Sequence, residues 1–372
     1  MKKLAIIGAS YLQQPLVAKC KEMGVYSICF AWEEGAVCKD LCDKFYPIST
    51  IDKEAILEVC QKEKIDGITT IASDVATLTV NYVAEHMGLV GNPDKYSQTM
   101  TNKYLMRQCF MENDVPSPKF CLTEGVVPEM AKSLKFPVIV KPTDRSGSRG
   151  VEEVEHIAEL PQAIVRACNE SFQKKAVIEE FVEGREISVE SISFKGKHYI
   201  LQITDKVTTE APFFVELEHH QPSSLSEDIK RRVRVVVLRA LDALHIQYGA
   251  SHAELKITAD GDIRVIEIGA RMGGDFIGSD LVKLSTGYDF LKGVIDVAFG
   301  QFEDPKLTES MFSGVYFLCE ETKALLPIIK NAEKYPEIVR AEVTDQTLRH
   351  IECSADRSGY IIYRANQKII LK

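Results

Sequence analysis

The sequence predicts an α/β chain that becomes α+β in its C-terminal part. Three observations lead there. The first ninety residues alternate short apolar runs with stretches of helical period, the rhythm of a parallel, doubly wound sheet. Alternating residues on both sides of Asp260-Gly261 read as an antiparallel hairpin. From about Gln301 onward the chain is strand-rich with polar turns.

The apolar run Leu4-Ala-Ile-Ile7 is the first strand, ending at Gly8, and a helix follows through Leu16 to Met23. Between them, Gly8-Ala-Ser-Tyr-Leu-Gln13 offers one glycine where a dinucleotide fingerprint needs three. It reads as a tight turn whose helix N-terminus could receive a substrate group. Ser27 to Ala31 is a second strand, and Ala55, Ile56, Val59 and Cys60 recur at helical spacing. Gly67 to Ala72 is another strand and Val75 to His86 another helix, with Gly91-Asn-Pro93 marking a boundary. Ser10, Gln13 and Asp74 sit near strand ends, where such sheets bind ligands. Asp74 reads first as a helix N-cap.

Asp94 to Asn113 is one helical stretch carrying Lys103 and Arg107, and Pro116 and Pro118 lie beyond it. The strand Phe136 to Pro142 ends in Lys141. The polar loop Thr143 to Gly150 follows, with Ser146, Ser148 and Gly150. A helix fits Leu160 to Phe172, and strands fit Ala176 to Phe181 and Ile187 to Phe194. In the helix from Asp228 to Leu244, Val233, Val237, Ala240, Leu241 and Leu244 share one face.

Composition narrows the function. With 372 residues the chain suggests two or three domains, and 45% hydrophobic residues suffice for a sizeable core. The net charge of -9 argues against non-specific nucleic-acid binding, which needs excess Lys and Arg. No apolar run is long enough to span a membrane. The apolar stretch before Gly8 is too short for a secretory signal, so a reduced, cytoplasmic protein with free cysteines is expected.

The hairpin carries the chemistry. With Asp260-Gly261 as a two-residue turn, Leu255 faces Ile266, Ala253 faces Ile268 and Ile257 faces Arg264. On the other side Glu254 faces Glu267, with Cβ atoms about 5 Å apart. Like charges so placed repel unless something lies between them, and magnesium, with its oxygen ligands, is the natural guest. The plainer reading is a solvated pair screened by Lys256 and Arg271. Arg271, four residues after Glu267, can grip a phosphate or carboxylate. Lys103 and Lys141 supply point charges for phosphates, although a lone lysine usually reads as solvated surface. The Ser146 to Gly150 loop can fold over phosphates as a lid, and it is not a Walker A loop.

The order Asn102-Lys103, Val138-Ile-Val-Lys141, serine-glycine loop, Glu179-Glu-Phe-Val182, Gly184-Arg-Glu186 and Glu254/Glu267 resembles the ATP-grasp superfamily of carboxylate–amine ligases. The resemblance runs over most of the chain. It implies an N-terminal Rossmann-like domain over 1–92 and an ATP-grasp core over 93–300 with a small hinged part near 115–185. A strand-rich remainder follows over 301–372. It implies ATP with Mg2+, or Mn2+ in its place. Lys103 and Lys141 would contact phosphates together with Ser146, Ser148 and Gly150. Glu179, Glu180, Phe181 and Val182 would line the adenine, and Glu186 would bond the ribose. Glu254 and Glu267 would hold the metal. Such ligases often carry an amide side chain two residues after the second glutamate, and Gly269 stands there instead. Gly249-Ala-Ser-His252-Ala-Glu254 and Arg271-Met-Gly-Gly274 are most similar to bacilysin-type L-amino acid ligases and to stand-alone carbamoyl-phosphate-synthase-like chains.

That likeness places Glu216 and His219 at the substrate; Asp74, from its strand end, and Gly274 and Arg271, from the segment after the hairpin, are expected beside them, with Arg271 and Lys141 catalytic and His252, next to Glu254 on the hairpin face, in support of it. For His219 and His220 a polar surface loop is the competing reading. The implied reaction joins a small-molecule carboxylate, expected to be an amino acid, to an amine through an acyl phosphate. Nucleic acid and membrane are not expected as partners, and a homodimer is compatible. Two alternatives stay open: a purine-pathway or carboxylase-type enzyme using formate or bicarbonate, and an ATP-binding regulator without turnover.

Overall fold

Alternating apolar strands and amphipathic helices build the first unit of the fold as their periods require. The computed structural model describes every residue except Ser146, Ser148, Glu210, Pro212 and Lys372. Strands β1 (Lys3–Ile7), β2 (Tyr26–Phe30), β3 (Lys44–Tyr46) and β4 (Gly67–Thr69) form a parallel sheet in the order β3-β2-β1-β4. Helices α1 (Gln14–Glu22), α2 (Lys53–Glu63) and α3 (Asp74–Met87) connect or follow these strands. Both sheet faces are covered, which explains the unbroken apolar run in β1. Ile28, Phe30, Ile56, Cys60 and Val83 fill one side. Leu4, Ile6, Leu16 and Cys20 meet Val294 and Ile295 of the helix Phe290–Ala298 on the other.

The stretch read as one helix over 94–113 is broken. Helix α4 (Ser97–Thr101) ends at Asn102, whose backbone is extended, and α5 (Lys103–Glu112) begins after it. The Asn102 side chain accepts from the amides of Tyr104 and Leu105, so an asparagine N-cap interrupts the apolar period. The cap puts Lys103 on the first residue of the new helix.

Strands β5 (Phe120–Thr123), β6 (Val138–Pro142), β7 (Glu152–Val154) and β8 (Ala176–Glu180) form a small antiparallel sheet in the order β5-β8-β6-β7. Helix α6 (Leu160–Glu170) buries Leu160, Ala163 and Ile164 against its Val138, Val140 and Ile178.

The remaining strands form one antiparallel sheet of eight. They are β9 (Arg185–Phe194), β10 (Lys197–Thr208), β11 (Glu216–Gln221), β12 (Gly249–Ile257), β13 (Ile263–Gly269), β14 (Phe312–Leu318), β15 (Ile338–Val343) and β16 (Gly359–Ala365). Their order is β13-β12-β9-β10-β11-β14-β16-β15, so the C-terminal strands extend the sheet that carries the hairpin. Helix α7 (Glu227–Ala243) lays Val233, Val237, Ala240 and Leu241 on Val189, Ile203, Leu255 and Val265. Because side chains alternate, the opposite face of the same strands is left for Glu186, Glu190, Lys206, His252 and Glu254. All ten cysteines are unpaired.

Leu255 lies beside Glu254 and is fully buried under α7. Leu255→Ala is expected to lower the unfolding free energy by roughly 2–5 kcal/mol, read from urea denaturation, because the packed core cannot close over the cavity.

Candidate functional site

The hairpin turn is one residue longer than the Asp260-Gly261 signal predicts. The Thr258 amide donates to the Asp262 carbonyl at 2.9 Å, enclosing a three-residue loop with Gly261 at φ 78°. That left-handed position suits glycine in such loops. The register near the turn is therefore Leu255 with Val265 and Ile257 with Ile263, which corrects the pairings with Ile266 and Arg264. A bulge at Ile266 then shifts the register back, so Ala253 does face Ile268 and Glu254 does face Glu267. The extra residue's carbonyl is not left bare, since Ile266 O accepts from Arg107.

Each glutamate is met by a buried cation. Lys103 Nζ lies 2.8 Å from Glu267 Oε1 and donates to the Arg145 carbonyl at 2.7 Å. Lys206 Nζ lies 2.9 Å from Glu254, 2.8 Å from Glu186 and 3.4 Å from Glu216. Burial disfavours its charge, yet Glu254, Glu186 and Glu216 together hold its pKa well above the ordinary lysine value. His252 Nε2 stands 3.4 Å from Glu254, and its Nδ1 bonds Glu190. Burial opposes its protonation, but Glu190 and Glu254 raise its pKa to about 9. Glu254 is thus screened by Lys206 and His252, not by Lys256, which pairs with Glu186 at 3.0 Å. Neither Lys103 nor Lys141 is solvated surface; both are buried.

Lys141 meets Glu179 at 2.8 Å, and Arg107 Nη2 donates to the same Glu179 oxygen at 3.1 Å. Burial works against the Glu179 charge, but Arg107 and Lys141 outweigh it and lower its pKa. The Glu179 side chain is therefore turned into this cation cluster. Glu180 accepts from the Lys135 amide, and the Phe181 amide donates to the Pro137 carbonyl. Val182 follows directly.

Between the N-terminal sheet and the large sheet lies a cavity of 810 Å³. It gathers Asp74, Glu216, His219, Glu254, Arg271 and Gly274, together with Ser10, Gln13, Lys206 and His252. His219 and His220 belong to β11 and are buried, so the surface-loop reading is wrong. His220 bonds Glu218 and Tyr363. Both ring nitrogens of His219 lack a partner among the described residues. Burial holds the pKa of His219 well below the ordinary value, so it faces the cavity as a neutral donor and acceptor. Glu216 is held by Arg357 at 3.1 Å.

A second cavity of 210 Å³ holds Lys103 and Glu267 and shares Asp74 with the first. Among the described lining residues, Lys141, Glu179, Glu180, Phe181, Val182, Glu186 and Gly150 border neither cavity. Gly147 and Arg149 of the proposed lid line the first, while Ser146 and Ser148 lie outside the described residues.

Asp74 is not a helix cap. Ser73 occupies that position, and Asp74 is the first residue of α3. Its two oxygens take the fork of Arg271, from Nε at 2.8 Å and from Nη2 at 3.0 Å. Sequence reasoning missed Lys206, Glu190 and Arg357. A lysine in an alternating strand carries no mark that its side faces inward.

Comparison with known proteins bears on this arrangement. Residues 134–280 match the family model of the ATP-grasp domain. Residues 134–280 are an ATP-grasp domain. The chain is 26% identical over 277 residues to alanine–anticapsin ligase of Bacillus subtilis, covering 68% of this chain. It spans only 58% of that relative's length. It is 24% identical to a formate-dependent phosphoribosylglycinamide formyltransferase of Sulfurisphaera tokodaii, over 65% of this chain and 64% of that one. The crystal structure of an L-amino acid ligase from Bacillus licheniformis superposes with a TM-score of 0.81 at 24% identity, covering 99% of this chain and 94% of that one. The chain has the ATP-grasp fold.

In this ATP-grasp domain no group of three or more His, Cys, Asp or Glu among the described residues is arranged to hold a metal ion alone. Magnesium is typically held by one or two carboxylates while substrate phosphates and water fill its other positions. Glu254 and Glu267, opposed on adjacent strands, supply two hard oxygen donors of that kind. Manganese accepts the same donors.

Lys206 is the shared cation of three carboxylates. Lys206→Met is expected to destabilise the protein by roughly 3–5 kcal/mol in chemical denaturation, because Glu186, Glu216 and Glu254 are left partly buried without it.

Proposed function

We propose that this protein is an ATP-dependent ligase that joins a carboxylate, of amino-acid type, to an amine and releases ADP and phosphate. The observation that carries this reading is the opposed pair Glu254/Glu267 beside Arg271, with Glu216 and the unpartnered His219 in the same cavity as Glu254. One charge set then faces the nucleotide and another polar set faces a small zwitterion.

The difficulty of the reaction is that a carboxylate must approach a γ-phosphate. Magnesium, when bound with the nucleotide, would neutralise phosphate charge. The residues of the chain do the rest. Lys103 and Lys141 exchange their carboxylate partners for phosphate oxygens. Arg271 keeps its charge throughout and stabilises the oxygens between which the phosphoryl group passes. His219 can orient an amino or carboxyl group without adding a charge. Gly147 and Arg149 of the proposed lid, by their position at the cavity, would limit water that could hydrolyse the acyl phosphate. Glu179, Glu180, Phe181 and Val182 are assigned to the adenine, Glu186 to the ribose, and Gly274 and Asp74 to the substrate side.

Formate or bicarbonate as the acid is the second reading, supported by the likeness to the formate-dependent formyltransferase. ADP release across amino acids, alone and in pairs, with formate and bicarbonate included, separates the two, and mass spectrometry of the product identifies the bond made. Release with amino-acid pairs supports the first reading. Release only with formate or bicarbonate overturns it.

Three substitutions test the assignments. Glu254→Gln and Glu267→Gln should each abolish ADP release while the folded spectrum is retained, and near-normal turnover in either contradicts the metal role. Arg271→Lys should keep ATP binding but lose at least about tenfold in rate, roughly 1.4 kcal/mol of transition-state stabilisation. Saturating acid should not rescue it, since the fork geometry is what lysine lacks.

A further inference from the structure

We propose that Asp74 is the positioning residue for Arg271, supplied by the start of α3 in the N-terminal unit, and that the bare backbone at Gly269 is the space this pair requires. The inference rests on the ligase reading for what Arg271 does, but its geometry is independent of it.

The segment before α3 is strapped to the segment after β13. Ile71 forms a parallel bridge with Met272, and the Ala72 amide donates to the Met272 carbonyl at 3.1 Å. Ala72 is held at φ 56°, an unusual conformation for alanine that turns the chain into α3. The strap places Asp74 opposite Arg271, and the carboxylate grips the Nε and Nη2 edge of the guanidinium. Both side chains are about one-sixth exposed, at 15% and 16%, so solvent does little to loosen the fork. Nη1 remains, and its contact within the protein is the Met272 carbonyl at 3.5 Å. Asp74 thus fixes the plane of the guanidinium and leaves its other edge for a substrate oxygen.

Gly269 completes the argument. Its φ is not in the left-handed region, so the backbone does not call for glycine there. The reason is steric. A Cβ at this position would lie 2.5 Å from Asp74 Oδ1 and 3.0 Å from Arg271 Cζ and Nε. A side chain at 269 would press on the tips of both partners, so the Asp74 carboxylate would have to move and the fork would lose its present geometry. Glycine leaves the fork as it stands. A pre-set guanidinium needs no reorganisation as charge moves, which is where positioning raises kcat without changing nucleotide affinity.

The test is a double-mutant cycle on ADP release, using the acid–amine pair that the wild type turns over. Asp74→Ala and Gly269→Ala should each lower kcat at least about tenfold while KM for Mg-ATP stays within about threefold. The double variant should lose no more than about threefold beyond Asp74→Ala, because the atom with which the new methyl collides is gone. Losses that multiply, or an Asp74→Ala rate within about threefold of wild type, overturn the proposal. If Asp74→Ala does not fold, Asp74→Asn keeps the shape and should show the same loss of kcat. If the wild type releases no ADP with any pair, the ligase reading has failed. The pair is then read by phenylglyoxal modification with peptide mapping. Arg271 should react at least about fivefold faster in Asp74→Ala than in wild type, since the carboxylate that occupies it is removed. Equal rates overturn the proposal.

Discussion

Two carboxylates, Glu254 and Glu267, face each other across adjacent strands, and like charges so placed repel. Much of the surrounding structure answers that repulsion. Lys103 is brought to Glu267 by a helix that starts where Asn102 breaks the one before it. Lys206 reaches Glu254 from two strands away and draws in Glu186 and Glu216. His252, protonated, bridges Glu254 to Glu190. The polar face of the large sheet is a network in which cations and carboxylates lie in contact, while the other face is an ordinary apolar core under α7. A buried network of this kind adds little net stability, because desolvation consumes most of the attraction. Its retention makes sense if its members trade partners when a polyanion arrives.

That view fits the pairing of Lys103 and Lys141, the residues proposed to meet the nucleotide, with carboxylates here. Lys103 and Lys141 hold carboxylates at 2.8 Å, a distance at which a phosphate oxygen could substitute. His219 is different. It has no partner among the described residues and is kept neutral by burial, so the cavity offers one group whose hydrogen bonds are unmet. A buried polar group without a partner calls for an explanation, and a bound ligand on the proposed substrate side would supply one.

The sequence made the Glu254–Glu267 opposition legible for a reason only partly sound. Alternation fixed which side chains share a face. The turn was read one residue too short, and the bulge at Ile266 removed the consequence of that error at Glu254 while leaving it at Leu255 and Ile257. The helical face of α7 and the parallel N-terminal sheet were legible because each is a simple period over several turns or strands. Lys206 was not, since an inward lysine on a strand has the same local pattern as an outward one. The Asp74–Arg271 pair spans 197 residues and joins the start of α3 to the segment after β13, so no local signal could reveal it. Asp74 carried a plausible local role as a cap, and the tertiary contact displaced it.

In the proposed ligase, Glu254 and Glu267 would hold a divalent cation together with the nucleotide rather than as a standing metal site. Binding of Mn2+ followed by electron paramagnetic resonance, with and without a non-hydrolysable ATP analogue, tests it most directly. Mn2+ should bind weakly to the protein alone and tightly once the analogue is present, and the tight phase should be lost in Glu254→Gln. Tight Mn2+ binding without nucleotide, or a tight phase that survives in Glu254→Gln, would contradict it.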